Sequence, residues 1–294
     1  MKIAVTGASG YLGSSFLKMY GDTYEIAALS RSAAKASDIT DRAITYVQTD
    51  YSPESLKDVL SGCEAVVHLA YAMATKDNEA GGLASYESSM ETTRNVLSAA
   101  HGLGISNIVF ASSRLVYPAF SDRPFREDDT LQPQNHYAES KVMMEELCED
   151  YNRNGSRIKV LRFGQIIGAD MKVKGMFHVF MDKASKNEPL TLIGSDVRDY
   201  IHVKDACGAI DAALRHPEAS GIFNISMGIG TDNRMMANAV IEALGSSSEI
   251  RIKETGNKKN PDRIVLDCTK AKDELGFSCR NDTILSIAKD VAKD

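Results

Sequence analysis

The strongest constraint on the fold lies in the first thirteen residues. A short apolar run, Ile3-Ala4-Val5-Thr6, leads straight into Gly7-Ala8-Ser9-Gly10-Tyr11-Leu12-Gly13. A strand that ends in spaced glycines and reopens as a helix brings free N–H groups and the positive end of a helix dipole to one point. Gly7 permits a tight turn, Gly10 lets a pyrophosphate approach the backbone, and Gly13 lets helix and strand pack closely. The spacing i, i+3, i+6 departs from the GxGxxG form. Three glycines alone are compatible with a plain turn, but their place between a strand and a helix favours a dinucleotide phosphate site.

Behind the loop the chain alternates. Residues 2–6, 25–30, 44–48, 65–69, 107–111 and 159–163 read as apolar strands, and 11–20, 53–60, 89–102 and 137–152 as helices. Ser52 precedes a proline at the first helical position, a good N-cap. Strands that are apolar throughout and separated by helices imply a parallel sheet covered on both faces. The expected fold is therefore α/β, a doubly wound parallel sheet with a smaller C-terminal α/β lobe. Residues 1–164 plus 197–225 are assigned to the sheet domain, with 198–215 returning to the main sheet. Residues 165–196 plus 226–294 form the smaller lobe, with charged helices over 269–275 and 283–293.

Composition removes several function classes. A net charge of −6 and a pI near 5.6 argue against a nucleic-acid or anionic-membrane partner. The one dense cationic pair, Lys258-Lys259, reads as a solvated loop. Residues 65–74, the longest nearly apolar run, are too few to span a bilayer. The five cysteines (63, 148, 207, 268 and 279) show no CxxC pair or metal-ligand spacing, which fits free thiols in a reducing cytoplasm. The histidines are scattered, so no metal site is expected. The first strand starts at the N-terminus and leaves no room for a signal peptide.

Tyr137-Ala138-Glu139-Ser140-Lys141 places a phenol and an ammonium on one helix face. A nearby cation favours phenolate over phenol and draws the tyrosine towards a pKa at which it moves protons. At the end of the second strand stands Ser30-Arg31-Ser32, with no acid. An acid there would bind the ribose 2′-OH of NAD, whereas arginine accommodates the 2′-phosphate of NADP. Arg31 reads either as a solvated loop residue or as that cation. The second reading makes NADP the expected cofactor and NAD the alternative.

Together the glycine loop and Tyr-x-x-x-Lys resemble the extended short-chain dehydrogenase/reductase family, in its NAD(P)-dependent epimerase/dehydratase, nucleotide-sugar branch. The resemblance runs through nearly the whole chain and implies a Rossmann sheet. Val66-Val67-His68-Leu69-Ala70 is similar to the strand whose end lines the cofactor, and Asp50 matches the aspartate that contacts adenine. Ala111-Ser112-Ser113-Arg114-Leu115-Val116-Tyr117 matches the strand bearing the catalytic serine. Arg198-Asp199-Tyr200-Ile201-His202-Val203-Lys204-Asp205 resembles the nucleotide-sugar motif, and Asp267-Cys268-Thr269-Lys270-Ala271 with Glu274-Leu275-Gly276-Phe277 the C-terminal signature.

The resemblance implies roles. Tyr137 is the acid/base, Ser113 binds the same substrate oxygen, and Lys141 holds the nicotinamide ribose and, with the cationic oxidised ring, lowers the Tyr137 pKa. Gly7, Ser9, Gly10, Tyr11, Leu12, Gly13, Arg31, Asp50, Leu69, Ala70 and Tyr71 would contact the cofactor, with Tyr137 and Lys141. Arg198 is expected at a substrate diphosphate, unless it pairs with Asp196, Asp199 or Asp205, and Arg263 is a weaker candidate for the same anion. Arg114 and Leu115 stand where dehydratases and decarboxylases of the branch carry acids, so those reactions are disfavoured. Ser89 and Gly164-Gln165 replace residues that frame substrate or cofactor, which leaves the sugar open.

Epimerisation and reduction at C4 of a nucleotide sugar both remain. A small non-nucleotide carbonyl substrate and a non-catalytic NADP sensor are the alternatives. Relatives dimerise through the two helices corresponding to 89–102 and 137–152, so a homodimer is expected, with Val142, Met143, Met144 and Leu147 offering contacts. Those side chains read equally well as facing the protein's own sheet.

Overall fold

The computed structural model describes residues 1–31, 43–72, 79–171, 173–253 and 261–293. The pair Lys258-Lys259 lies outside them. The first third of the chain folds as β1 (Lys2–Thr6), α1 (Tyr11–Tyr20), β2 (Glu25–Ser30), β3 (Ile44–Gln48), α2 (Pro53–Val59), β4 (Ala65–His68) and α3 (Glu79–Gly102). Then come β5 (Asn107–Ser113), α4 (His136–Arg153), β6 (Arg157–Phe163), β7 (Gln165–Ile167), α5 (Met176–Ser185), β8 (Leu190–Ile193), β9 (Val197–His202) and α6 (Val203–Arg215). The remainder forms β10 (Gly221–Ile225), β11 (Gly230–Thr231), α7 (Asn233–Leu244), β12 (Ile250–Lys253), β13 (Arg263–Ile264), α8 (Thr269–Leu275) and α9 (Ile284–Val291).

Seven strands make one parallel sheet in the order β10-β6-β5-β4-β1-β2-β3. The order reverses at β1, where β2 lies on one side and β4 on the other. Such a switch point opens a crevice at the carboxyl ends of the strands. The register sets Thr6 beside both Leu29 and His68, so the ends of β1, β2 and β4 are level there.

One face of the sheet is covered by α1 and α6, whose Phe16, Leu17, Ile210 and Leu214 are buried with Val5 and Val67. On the other face Leu56, Leu97 and Met144, from α2, α3 and α4, pack on Val66, Ile108 and Val160. A third apolar cluster, with Phe177, Phe180, Leu190, Met236, Val240 and Ile287, forms the core of the smaller lobe. Among the described residues no helix is long and apolar enough to cross a membrane.

Two assignments need correction. The stretch 198–215 does not return to the main sheet as a unit. β9 is the centre of a separate small sheet, flanked by β7, β11 and β13, and only α6 packs back, against α1. The place beside β6 is taken by β10, which leaves β9 no partner there. Residues 269–277 likewise leave the smaller lobe: Ala271, Leu275 and Phe277 are buried in the core shared by α1 and α6.

Residues 261–267 tie the two parts together. Phe125 N–H donates to Val265 O and Asp267 N–H to Phe125 O, both at 2.8 Å, and Arg263 N–H donates to Ala119 O at 2.7 Å. The same segment pairs with β9 through β13. Val116, Tyr117, Phe125, Ile264 and Leu266 fill the seam.

Candidate active site

The glycine loop follows β1 as expected. Gly7 has φ +68°, and a Cβ there would lie 2.7 Å from Ala70 N, against the end of β4. A Cβ on Gly13 would run into the Gly7 carbonyl oxygen, so both glycines are sterically required. Gly10 caps α1 without a side-chain hydrogen bond, and no acid stands in the first turn. An uncapped helix N-terminus over a glycine cradle is chemically suited to a dinucleotide pyrophosphate. The Tyr11 hydroxyl lies against Gly168, while Leu12 packs partly buried on the core.

Around this loop the strand ends converge. Ser9 Oγ lies 3.4 Å from Ser30 Oγ, and Arg31 is exposed just beyond. Leu69 and Ala70 N–H both donate to Thr6 Oγ1 at 3.1 Å, fixing the turn after β4. Ser89 Oγ accepts from Ala72 N–H at 2.9 Å and holds that turn to α3. Asp50 is exposed and accepts from Ser52 N–H, which keeps its carboxyl below the usual range.

The residue beside Asp50 escaped the sequence reading. Tyr51 is buried at φ +62°, accepts from Gly7 N–H at 3.4 Å and donates to Leu29 O at 3.2 Å. A bulky residue in the left-handed region is costly by about 1–3 kcal/mol and persists only where its surroundings over-determine it. The pattern Thr49-Asp50-Tyr51-Ser52 carries no signal for it, because nothing in it demands a positive φ.

The catalytic candidates meet at the end of β5. Asn135 caps α4 by accepting from Ala138 N–H at 2.9 Å, so Tyr137 enters the site from the first helical turn. Ser113 Oγ accepts from Leu115 N–H at 3.2 Å and stands near enough to Tyr137 to favour its ionised form. Tyr71 meets the Tyr137 ring edge-on, with centroids 5.0 Å apart, and its hydroxyl lies 3.0 Å from Ser140 Oγ. Lys141 is buried, donates to Ala111 O at 2.8 Å, and stands over the rings of Tyr71 at 4.8 Å and Phe110 at 4.9 Å.

Burial dominates the electrostatics of Tyr137 and Lys141. It pushes the Tyr137 pKa up to about 12, against the lowering effects of Ser113 and the Arg114 charge. Lys141 Nζ lies 5.8 Å from the Tyr137 ring centre and does not lower it. Burial also drives Lys141 itself down to about 8, opposed by Glu145. In the protein alone desolvation outweighs the ammonium, so Tyr137 rests as a phenol.

Arg198 and Arg263 approach from the small sheet, where β9 and β13 set Arg198 beside Ile264. Arg198 bonds Asp196 at 3.2 Å, one of the ion pairs expected as its alternative, and remains one-third exposed. Arg263 donates to Ser121 O at 2.6 Å. A second omission of the sequence reading is Arg114, weighed there only as a missing acid. It begins a 3₁₀ turn, Arg114–Val116, directly after Ser113, and reaches Gln165 Oε1 at 3.4 Å. Its neighbourhood to Ser113 was the available signal.

Comparison with known proteins shows the family of the chain. Residues 3–226 match the NAD dependent epimerase/dehydratase family, and the chain belongs to it, in the extended short-chain dehydrogenase/reductase branch. Among relatives, a low-salt glycan biosynthesis protein of Haloferax volcanii is 27% identical, the match covering 92% of each chain. A UDP-glucose 4-epimerase of Bacillus subtilis is 28% identical over 95% of this chain and 93% of its own. The crystal structure of UDP-N-acetylglucosamine 4-epimerase from Bacillus cereus superposes with a TM-score of 0.85 at 30% identity, covering 99% of this chain and 95% of that one.

Proposed function

We propose that this protein is a nucleotide-sugar 4-epimerase working through Ser113, Tyr137 and Lys141. The observation that supports the reading is the meeting of Ser113, Tyr137 and buried Lys141 at the carboxyl edge of the sheet, with Arg198 approaching from the facing small sheet. Two 4-epimerases among the similar proteins support it. Arg114 and Leu115, neither able to act as a carboxylate base, disfavour elimination.

The glycine loop, Arg31, Asp50, Leu69, Ala70, Tyr71 and Lys141 would hold NAD(P), which when bound supplies the hydride acceptor and donor. Tyr137 takes the proton of the sugar hydroxyl as that carbon is oxidised and returns it on reduction. Ser113 hydrogen-bonds the same oxygen and fixes its distance from Tyr137. Since Tyr137 rests near pKa 12, it needs added positive charge to ionise near neutrality. Arg198 and Arg263 would grip the diphosphate, leaving the sugar at Tyr137.

A second reading, reduction of a 4-ketosugar with NADPH, is favoured by Arg31. No acid at the end of β2 opposes a 2′-phosphate, and the Arg31 charge reaches the Tyr51 hydroxyl beside the glycine loop. Identification of the dinucleotide on freshly purified protein separates the two. Tightly held NAD with sugar interconversion in the absence of added cofactor supports the epimerase. An empty site, a preference for NADPH lost in Arg31→Ala, and stoichiometric NADPH consumption support the reductase.

We also propose a homodimer built on α3 and α4. Leu83 is 53% exposed and Met143 45%, and they border one groove with Tyr86 and Val142. Sedimentation at micromolar concentration should give a dimer, and a monomer would remove the proposal.

A further inference from the structure

Arg114 is partly buried at the mouth of the site, between two groups already assigned to substrate. Its guanidinium carries five N–H donors in a rigid fork and stays charged at any working pH. The hydrogen bond it makes, to Gln165 Oε1 at 3.4 Å, is at the long limit for such a contact. Among the described residues no carboxylate lies within ion-pair distance of it. Asp199 and Asp262 act on it through their charge; Asp199 Oδ2 accepts from Leu266 N–H at 3.0 Å, while Oδ1 is buried without a hydrogen bond.

On the other side stands a second cation. Gln165 on β7 is in register with Tyr200 on β9, two residues beyond Arg198. Burial weakens the hold of Arg114 on its charge, and repulsion from Arg198 adds to that. Tyr137 senses the same guanidinium from within the site. A half-buried arginine repelled by a second one is costly, and an anion placed between Arg114 and Arg198 offsets that penalty. A sugar offering hydroxyls alone would not.

We infer that Arg114 is a substrate-binding residue that takes an anionic oxygen group of the substrate between Tyr137 and Arg198. The inference rests on the nucleotide-sugar reading. Two groups of such a substrate carry the required chemistry: a carboxylate on the sugar ring, or the phosphate nearest the sugar. A bidentate fork recognises either.

Calorimetric titration of the full chain, saturated with NAD, with UDP, UDP-glucose and UDP-glucuronate distinguishes them. If the carboxylate is the ligand, the parent binds UDP-glucuronate at least tenfold tighter than UDP-glucose. Arg114→Ala then erases that preference and leaves UDP affinity within twofold. If the phosphate is the ligand, Arg114→Ala weakens all three at least tenfold. Arg114→Gln, which removes the charge but keeps a polar side chain, must repeat the result, with an unchanged Tm as the check on folding. Unchanged affinities for all three in a folded variant overturn the inference while UDP binding upholds the reading beneath it. A parent that does not bind UDP overturns that reading and the inference with it.

Discussion

Two arginines at the same end of the main sheet live in opposite circumstances. Arg162 on β6 is almost wholly enclosed, yet every direction of its guanidinium is answered. Nε and Nη2 bond the Glu145 carboxylate at 2.6–3.1 Å, and Nη1 reaches the Tyr117 hydroxyl at 2.7 Å and Glu127 O at 3.0 Å. Ser112 donates to Glu145, and Tyr117 donates to Asn224 Oδ1 at 2.8 Å, extending the network into β10. Arg114, two residues beyond Ser112, the β5 partner of Arg162, has a single long bond to an amide. A satisfied buried charge holds structure in place, whereas an under-satisfied one marks where a ligand completes the set.

Lys159 challenges that distinction, because it too is a buried cation with one neutral partner, Asn107 Oδ1 at 2.5 Å, far from the site. Lysine has an exit that arginine lacks: burial lowers its pKa to about 7, so it sheds its proton. The comparison therefore holds for groups that cannot neutralise themselves.

The largest expected effect separates the site from the scaffold. Tyr137→Phe should lower kcat by about 10²–10⁴-fold with Tm unchanged, measured on the interconverted sugar nucleotides. A variant as active as the parent would remove Tyr137 from the reaction. Glu145→Ala should cost about 3–5 kcal/mol in urea unfolding, because it strands the Arg162 charge without water. A loss below 1 kcal/mol would show that the satisfied network is not what holds α4 to β6.

Arg198→Ala comes next, with KM raised about tenfold and kcat near the parent's, since a diphosphate grip contributes equally before and during the reaction. An unchanged KM would return Arg198 to its Asp196 ion pair alone. The smallest effect is a pH slope. The unfolded chain holds the Lys159 proton between pH 7 and 10.5 while the folded one does not, so stability rises with pH in that window and is flat below it. Unfolding measured from pH 6 to 9 should show a rise of at most about 1.4 kcal/mol per pH unit. In Lys159→Met that component disappears, leaving what Lys141 contributes with the same sign above pH 8.

Local pattern made part of this legible. The bounds of β1, α1, β2, β3 and α8 coincide with the reading, because each is set by its own apolar period and its glycine, serine or proline punctuation. α3 begins at Glu79 and not at 89, since Gly81-Gly82 argues against a helix that the neighbouring α4 stabilises by packing. β9 looked like a strand of the main sheet because its true partners β7, β11 and β13 are only two or three residues each, too short to leave a pattern. The candidates Ser113, Tyr137 and Lys141 were visible as motifs. The phenol's resting state was not, since desolvation is a property of the packed environment. Arg114 was read for what it replaced, and only the geometry shows what it faces.

The seam of residues 261–267 has a consequence in time. During synthesis β1, β2, β4, β5 and β6 can pair while the chain is little more than half made. The walls around Arg198 cannot, because Val197 N–H awaits Asp262 O and the loop at Ser121 awaits Arg263. Contacts this distant in sequence form late. The central strands of the main sheet are thus ready to pair first, and the small sheet around Arg198 closes only when the final strand arrives.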